Sequence, residues 1–138
     1  MDSVPSPTGT ATFSLLETMR LEDGRVPRLE RHLERMAIAA RGFGYFWAEP
    51  AVRGAVEATA RSHASGSWRV RLLLSRDGVP SVECTGYERE TRGPWRVAFA
   101  THPMADARDP FVLNKTTHRA VYDMARRSHP DVDDVLLW

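Results

Sequence analysis

The sequence predicts an α+β protein in two layers, a sheet with helices packed on one side. Three observations lead to that expectation. A run rich in Thr, Phe and Leu covers Thr12 to Leu21. Two helical stripes of apolar residues follow it. Two further strand-like runs then face each other across Arg76-Asp77-Gly78.

The elements follow in order. Residues 1–10 are polar, rich in Pro, Ser, Gly and Thr, and read as a flexible leader. Thr12 to Leu21 reads as a strand, Glu22-Asp23-Gly24 as a turn, and Arg25 to Pro27 as a short return strand of a hairpin. Leu29, Leu33, Met36, Ala40 and Phe43 then recur at helical spacing, and Gly42 and Gly44 supply a stop. Glu49-Pro50 starts a second helix with Val52, Val56 and Ala60 on one face, ending near His63 to Gly66. Trp68 to Ser75 reads as a buried strand, with Val79 to Tyr87 as its partner. Glu88 to Pro94 is a polar connector, and Trp95 to Thr101 a further strand. His102 to Asp109 reads as loop, Thr116 to Ser128 as a helix ended by His129-Pro130, and Val135 to Trp138 as a last strand.

Composition narrows the function classes. At 138 residues the chain is long enough to bury a core. A net charge of +1 gives no bulk attraction for nucleic acid or an anionic membrane. Cys84 is the only cysteine, so no internal disulfide and no Cys-x-x-Cys metal site is expected. That agrees with a reducing, cytoplasmic setting. The leader lacks the basic start and apolar stretch of a signal peptide. Cys84 and the tryptophans read as core residues.

The basic residues are unevenly chosen. Of the 19 lysines and arginines, only Lys115 is a lysine. Arginine can grip phosphates and carboxylates, but its guanidinium keeps its proton and cannot form an imine. A desolvated lysine can lose its proton and become a nucleophile. Biased composition with a leftover surface lysine is the plainer alternative.

Two segments carry a recognisable pattern. The first runs Phe13-Ser14-Leu15-Leu16-Glu17-Thr18-Met19-Arg20, then Asp23-Gly24, then Leu29-Glu30-Arg31-His32-Leu33-Glu34-Arg35-Met36. The second is Asp109-Pro110-Phe111-Val112-Leu113-Asn114-Lys115-Thr116-Thr117-His118-Arg119, followed by Tyr122-Asp123. Together, in this order and about eighty residues apart, they resemble the class IV pyridoxal-phosphate enzymes, and most of all their 4-amino-4-deoxychorismate lyase branch.

The resemblance implies a D-amino acid aminotransferase-like fold. Residues 11–108 would form its N-terminal α+β domain and residues 109–138 the first helix and strand of the cofactor domain. It implies that Lys115 binds pyridoxal 5'-phosphate as an imine and acts as the catalytic lysine. It implies that Arg35 holds the cofactor phosphate, although Arg28, Arg31 and Arg35 also share one side that could simply be solvated. Arg71, and more weakly Arg20, would meet the carboxylate of a small amino substrate. Arg119 reads as positional, and His118 and His32 as surface or packing residues. The family is dimeric, so a homodimer is expected.

The expected reaction is release of pyruvate from 4-amino-4-deoxychorismate to give 4-aminobenzoate, with class IV transamination as the alternative. The family's enzymes are longer, and their second half supplies the acidic partner of the pyridine nitrogen and the rest of the phosphate cup. Because an apolar run reaches Trp138, we expect this chain to be a fragment that binds the cofactor weakly or not at all and has poor activity. A half-length, non-catalytic assembly module is the rival expectation.

Overall fold

The computed structural model describes residues 12–138, so the leader lies outside the described residues. The elements run β1 (Leu15–Glu22), α1 (Leu29–Phe43), α2 (Glu49–Ser62), β2 (Ser67–Leu74), β3 (Pro80–Gly86), β4 (Val97–Phe99), α3 (Pro110–Leu113), α4 (Ala120–Arg127) and β5 (Asp134–Leu136). The α+β expectation is met.

β1, β2 and β3 form an antiparallel sheet in that order. Side chains alternate across a strand, and this alternation sorts β1. Leu15, Glu17, Met19 and Leu21 are buried on the side that carries α1 and α2. Val70, Leu72 and Leu74 of β2 join them. Leu33, Met36, Ala39 and Ala40 of α1, and Val52, Val56 and Ala60 of α2, close the core. Each of the larger apolar side chains contributes roughly 1.5–3 kcal/mol by leaving water. The opposite face of the sheet carries Leu16 beside Leu73, Thr18 beside Arg71, and Arg20 beside Arg69.

Glycines fix two of the turns. Gly44 caps α1 with φ 70, so the stop falls there, while Gly42 stays inside the helix. Gly78 has φ 80, and a Cβ on it would sit 2.5 Å from Cδ1 of Phe46. Only glycine fits that turn between β2 and β3.

Several expectations change. The return strand at Arg25 to Pro27 shrinks to one bridge, Glu22 to Arg25, because Asp23 and Gly24 both take positive φ and the chain turns at once into α1. Asp109-Pro110 starts an unforeseen short helix, α3: the Asp109 carboxylate accepts from Phe111 N at 2.9 Å, and Pro110 needs no hydrogen-bond acceptor. The expected helix from Thr116 begins only at Ala120. Thr116 instead faces Leu15 across an antiparallel bridge, and its hydroxyl bonds locally to the His118 backbone. β4 and β5 pair in parallel. Trp95 and Trp138 are exposed rather than core, and Trp47 and Trp68 only flank the core, as does Cys84. No helix among the described residues is long and apolar enough to cross a membrane.

Candidate functional site

Lys115 is positioned by β1. The Leu16 amide donates to the Lys115 carbonyl at 3.1 Å, and the Thr117 amide donates to the Ser14 carbonyl at 2.9 Å. The hydroxyl of Thr117 accepts from the Ser14 amide at 3.0 Å. The strip 115–117 therefore borders β1 on the side away from β2. Thr116 is buried opposite Leu15, and Lys115 takes the register position opposite Leu16. Phe111, just upstream, closes the joint: its ring lies 4.9 Å from Phe13 and 5.4 Å from Phe43.

The electrostatics around Lys115 favour the neutral amine. Burial pushes its pKa below the ordinary lysine value, the Glu17 carboxylate pulls it back up, and the charges of Arg35, Arg119 and Arg69 push it down. A depressed lysine is the form that attacks an aldehyde.

Arg35 stands on α1 beside the same carboxylate. Its Nε and Nη2 donate to the two Glu17 oxygens, each at 2.6 Å, in a bidentate fork. Nδ1 of His32, one turn earlier, approaches Glu17 Oε2 at 2.7 Å. A carboxylate only accepts, so Nδ1 carries that proton. Glu17 is 1% exposed, whereas the Arg35 side chain is 58% exposed. The pair thus has a dry end and a wet end. The bond to Glu17 raises the Arg35 pKa, so this cation is permanent.

Sequence reasoning assigned Glu17 no role and marked His32 as a surface or packing residue, whereas both join Arg35 through the Glu17 carboxylate. The signal was present in the alternation, since Glu17 is the one charge among the inward positions Leu15, Met19 and Leu21. A buried carboxylate needs partners, and Arg35 and His32 are the ones one and a half turns of α1 can offer.

Arg71 and Arg20 are brought to the open face of the sheet, away from α1. The partner required by Arg71 is Glu83, at 3.3 Å on β3. Arg20 pairs with Glu22 at 2.8 Å. Arg119 lies over the Tyr122 ring at 4.4 Å, and His118 packs on Phe111.

The donor set fits pyridoxal phosphate at two points. Lys115 suits the aldehyde. The Arg35 fork leaves Nη1 without a bond to Glu17 on an exposed guanidinium, which suits a phosphate oxygen. No group of His, Cys, Asp and Glu among the described residues could hold a metal ion.

The model of the family "Amino-transferase class IV" matches residues 14–137, and the chain belongs to that family. A Schizosaccharomyces pombe protein named "Putative aminodeoxychorismate lyase" is 31% identical over 91% of this chain and 55% of its own. The crystal structure of a "Putative amino-acid aminotransferase" from Mesorhizobium loti superposes with TM-score 0.77 at 27% identity, over 91% of this chain and 61% of its own. A hypothetical aminotransferase from Mycobacterium tuberculosis, in its PLP-bound form, gives TM-score 0.70 at 25% identity, over 90% and 51%. The chain therefore spans about half to three fifths of the length of these relatives, and it matches the fold of their N-terminal part.

Proposed function

We propose that this class IV amino-transferase relative uses Lys115 to carry pyridoxal phosphate, and that its parent reaction is release of pyruvate from 4-amino-4-deoxychorismate to give 4-aminobenzoate. The observation that carries the reading is a lysine desolvated by burial whose amine feels the charge of an arginine fork already aligned by a buried carboxylate. The name of the fission-yeast relative supports the lyase within the family.

The bound group would supply an electron sink next to the substrate nitrogen. The residues of this chain do the rest. Nζ of Lys115 takes the proton from the substrate carbon and returns it after the bond breaks. Burial of Lys115 lowers its pKa from the ordinary lysine value and so favours the form that can accept a proton. The free edge of Arg35 grips the phosphate, while Glu17 and His32 hold the guanidinium plane. Arg20 and Arg71 stay candidates for the substrate carboxylate, each already shared with a glutamate. The family resemblance supports a homodimer as the working form.

Transamination is the second reading, supported by the aminotransferase names of the Mesorhizobium and Mycobacterium neighbours. A product assay separates the two. With 4-amino-4-deoxychorismate and added pyridoxal phosphate, the lyase gives pyruvate and 4-aminobenzoate in equal amounts, and Lys115→Ala abolishes both. Amine transfer to a 2-oxo acid with no 4-aminobenzoate would select the transaminase. Product formation that survives Lys115→Ala would overturn both.

A further inference from the structure

We propose that the groove between α4 and the segment 100–105 binds an uncharged, flat aromatic molecule carrying one N–H or O–H donor. Lys115, Arg35, Arg20 and Arg71 are not part of its lining, so the site is separate from the amine chemistry. One wall is a helix face. Val121, Met124, Ala125 and Ser128 recur at i, i+3, i+4 and i+7, so they share one side of α4 and its C-cap. The other wall is the segment after β4, and three hydrogen bonds fix it to residues 136–138. The Ala100 amide donates to the Leu136 carbonyl at 2.8 Å, and the Met104 amide to the Trp138 carbonyl at 2.6 Å. The Trp138 indole N–H donates to the Ala100 carbonyl at 2.8 Å. Both walls are therefore formed before any ligand arrives.

Size and lining decide the class of ligand. The groove holds about 400 Å³, within the roughly 300–1,000 Å³ of small-molecule sites. Charged residues make up 27% of the chain, yet no Asp, Glu, Lys or Arg lines it. A carboxylate or ammonium would lose water there without gaining a permanent counter-ion. Two methionines, Met104 and Met124, favour a flat ring, because a thioether packs well against an aromatic system. Met124 is 63% exposed, and a ring in the groove would cover it.

One polar corner settles the donor. Nδ1 of His129 lies 3.1 Å from the Ala125 carbonyl, which can only accept, so Nδ1 carries the proton. Nε2 of the neutral ring is then an acceptor, and the Thr101 hydroxyl donates to it at 3.3 Å. The Thr101 hydrogen is used in that bond. Its oxygen keeps lone pairs for a donor on the ligand, so an aromatic N–H or O–H is the complement.

The test uses the ¹⁵N-labelled chain and indole as the probe, with 1-methylindole, which lacks the N–H, and indole-3-carboxylate, which is charged, as controls. Indole should shift the amides of Thr101, Val121, Ala125 and His129, with a Kd on the order of 1 mM or tighter. 1-Methylindole should bind roughly fivefold more weakly, the loss of one hydrogen bond, and indole-3-carboxylate should bind more weakly than indole. Thr101→Val removes the acceptor at similar size and should bring indole to the affinity of 1-methylindole. Thr101 is exposed, so the variant keeps its fold, and an unchanged spectrum without ligand verifies this. Equal affinity for indole and 1-methylindole in the wild type, or a preference for indole that survives Thr101→Val, would overturn the proposal. So would indole shifts confined to the outer face of β4 at Val97 and Phe99. Shifts of the groove amides with protein concentration alone would also overturn it, since a second copy would then be the occupant.

Discussion

Residues 15–87 and residues 88–138 solve the burial problem differently. The first stretch makes its own core: Leu15, Leu21, Leu72, Leu74, Val52 and Val70 have no exposed surface. The second buries only Thr116, and that residue is buried because it lies against β1. Several of its large apolar side chains, Trp95, Val97, Phe99, Leu113, Met124, Leu136 and Trp138, are about half exposed or more. Parallel strands usually have both faces covered, yet β4 and β5 show Val97, Phe99 and Leu136 to solvent. The lysine therefore sits where a poorly buried region is anchored to a well-buried one. The arginine fork belongs wholly to the latter.

Core truncations are the harshest way to break this comparison. Leu72→Ala should cost about 2–5 kcal/mol in chemical denaturation. Leu136→Ala should cost less than about 0.5 kcal/mol, as surface changes do. Comparable losses at the two positions would erase the distinction.

The buried carboxylate gives the next largest effect. Arg35→Ala leaves Glu17 inside with only His32, and breaking one partner of a buried pair costs about 3–5 kcal/mol. Since Arg35 is more than half exposed, the lower end of that range is expected. Replacing Glu17 by Leu frees Arg35 to water and should be close to neutral for stability, while removing the alignment that the phosphate grip requires. An Arg35→Ala variant as stable as Glu17→Leu would mean the fork is ornamental.

Phe111→Ala probes the joint itself. It removes the ring that touches Phe13 and Phe43. Amide exchange at Leu16 and Thr117 should speed up, since those bonds hold the lysine strip, while amides of β2 and β3 stay protected. Uniform acceleration would show that both regions open together.

The smallest effect is a pH dependence at Lys115. Its folded pKa lies below the ordinary 10.5, so the folded chain binds that proton less well than the unfolded one. The penalty is full below the folded pKa and fades as pH rises through the unfolded value. Lys115→Met should thus melt at an equal or slightly higher temperature near neutrality, and the difference should vanish as pH approaches 10.5. A variant less stable at neutral pH would contradict a desolvated lysine.

Much of this was legible in the sequence where local and tertiary preferences agree. The stripes Leu29, Leu33, Met36, Ala40 and Val52, Val56, Ala60 each fell on a helix with that face inward. Arg35 and Lys115 were marked by motif and by residue type. What was not legible came from long-range pairing. Thr116 reads as a helix start, but the bridge to Leu15 and its own hydroxyl bonds hold it extended. Arg71 reads as a contact for a substrate carboxylate because Glu83 becomes its neighbour only when β2 pairs with β3. The tie of Arg35 to Glu17 was invisible for the same reason: the helix face that looks solvated in sequence rests on a carboxylate 18 residues away.

The central claim is that Lys115 is the amine that takes up pyridoxal phosphate. The direct measurement is reduction of the chain with sodium borohydride at saturating cofactor, followed by peptide mapping. Lys115 is the only lysine, so the Met1 amine is the one competing amine. The account predicts a pyridoxyl adduct on Lys115 that is lost in Lys115→Ala and reduced in Arg35→Ala. An adduct confined to the Met1 amine, or none at saturation, would contradict it.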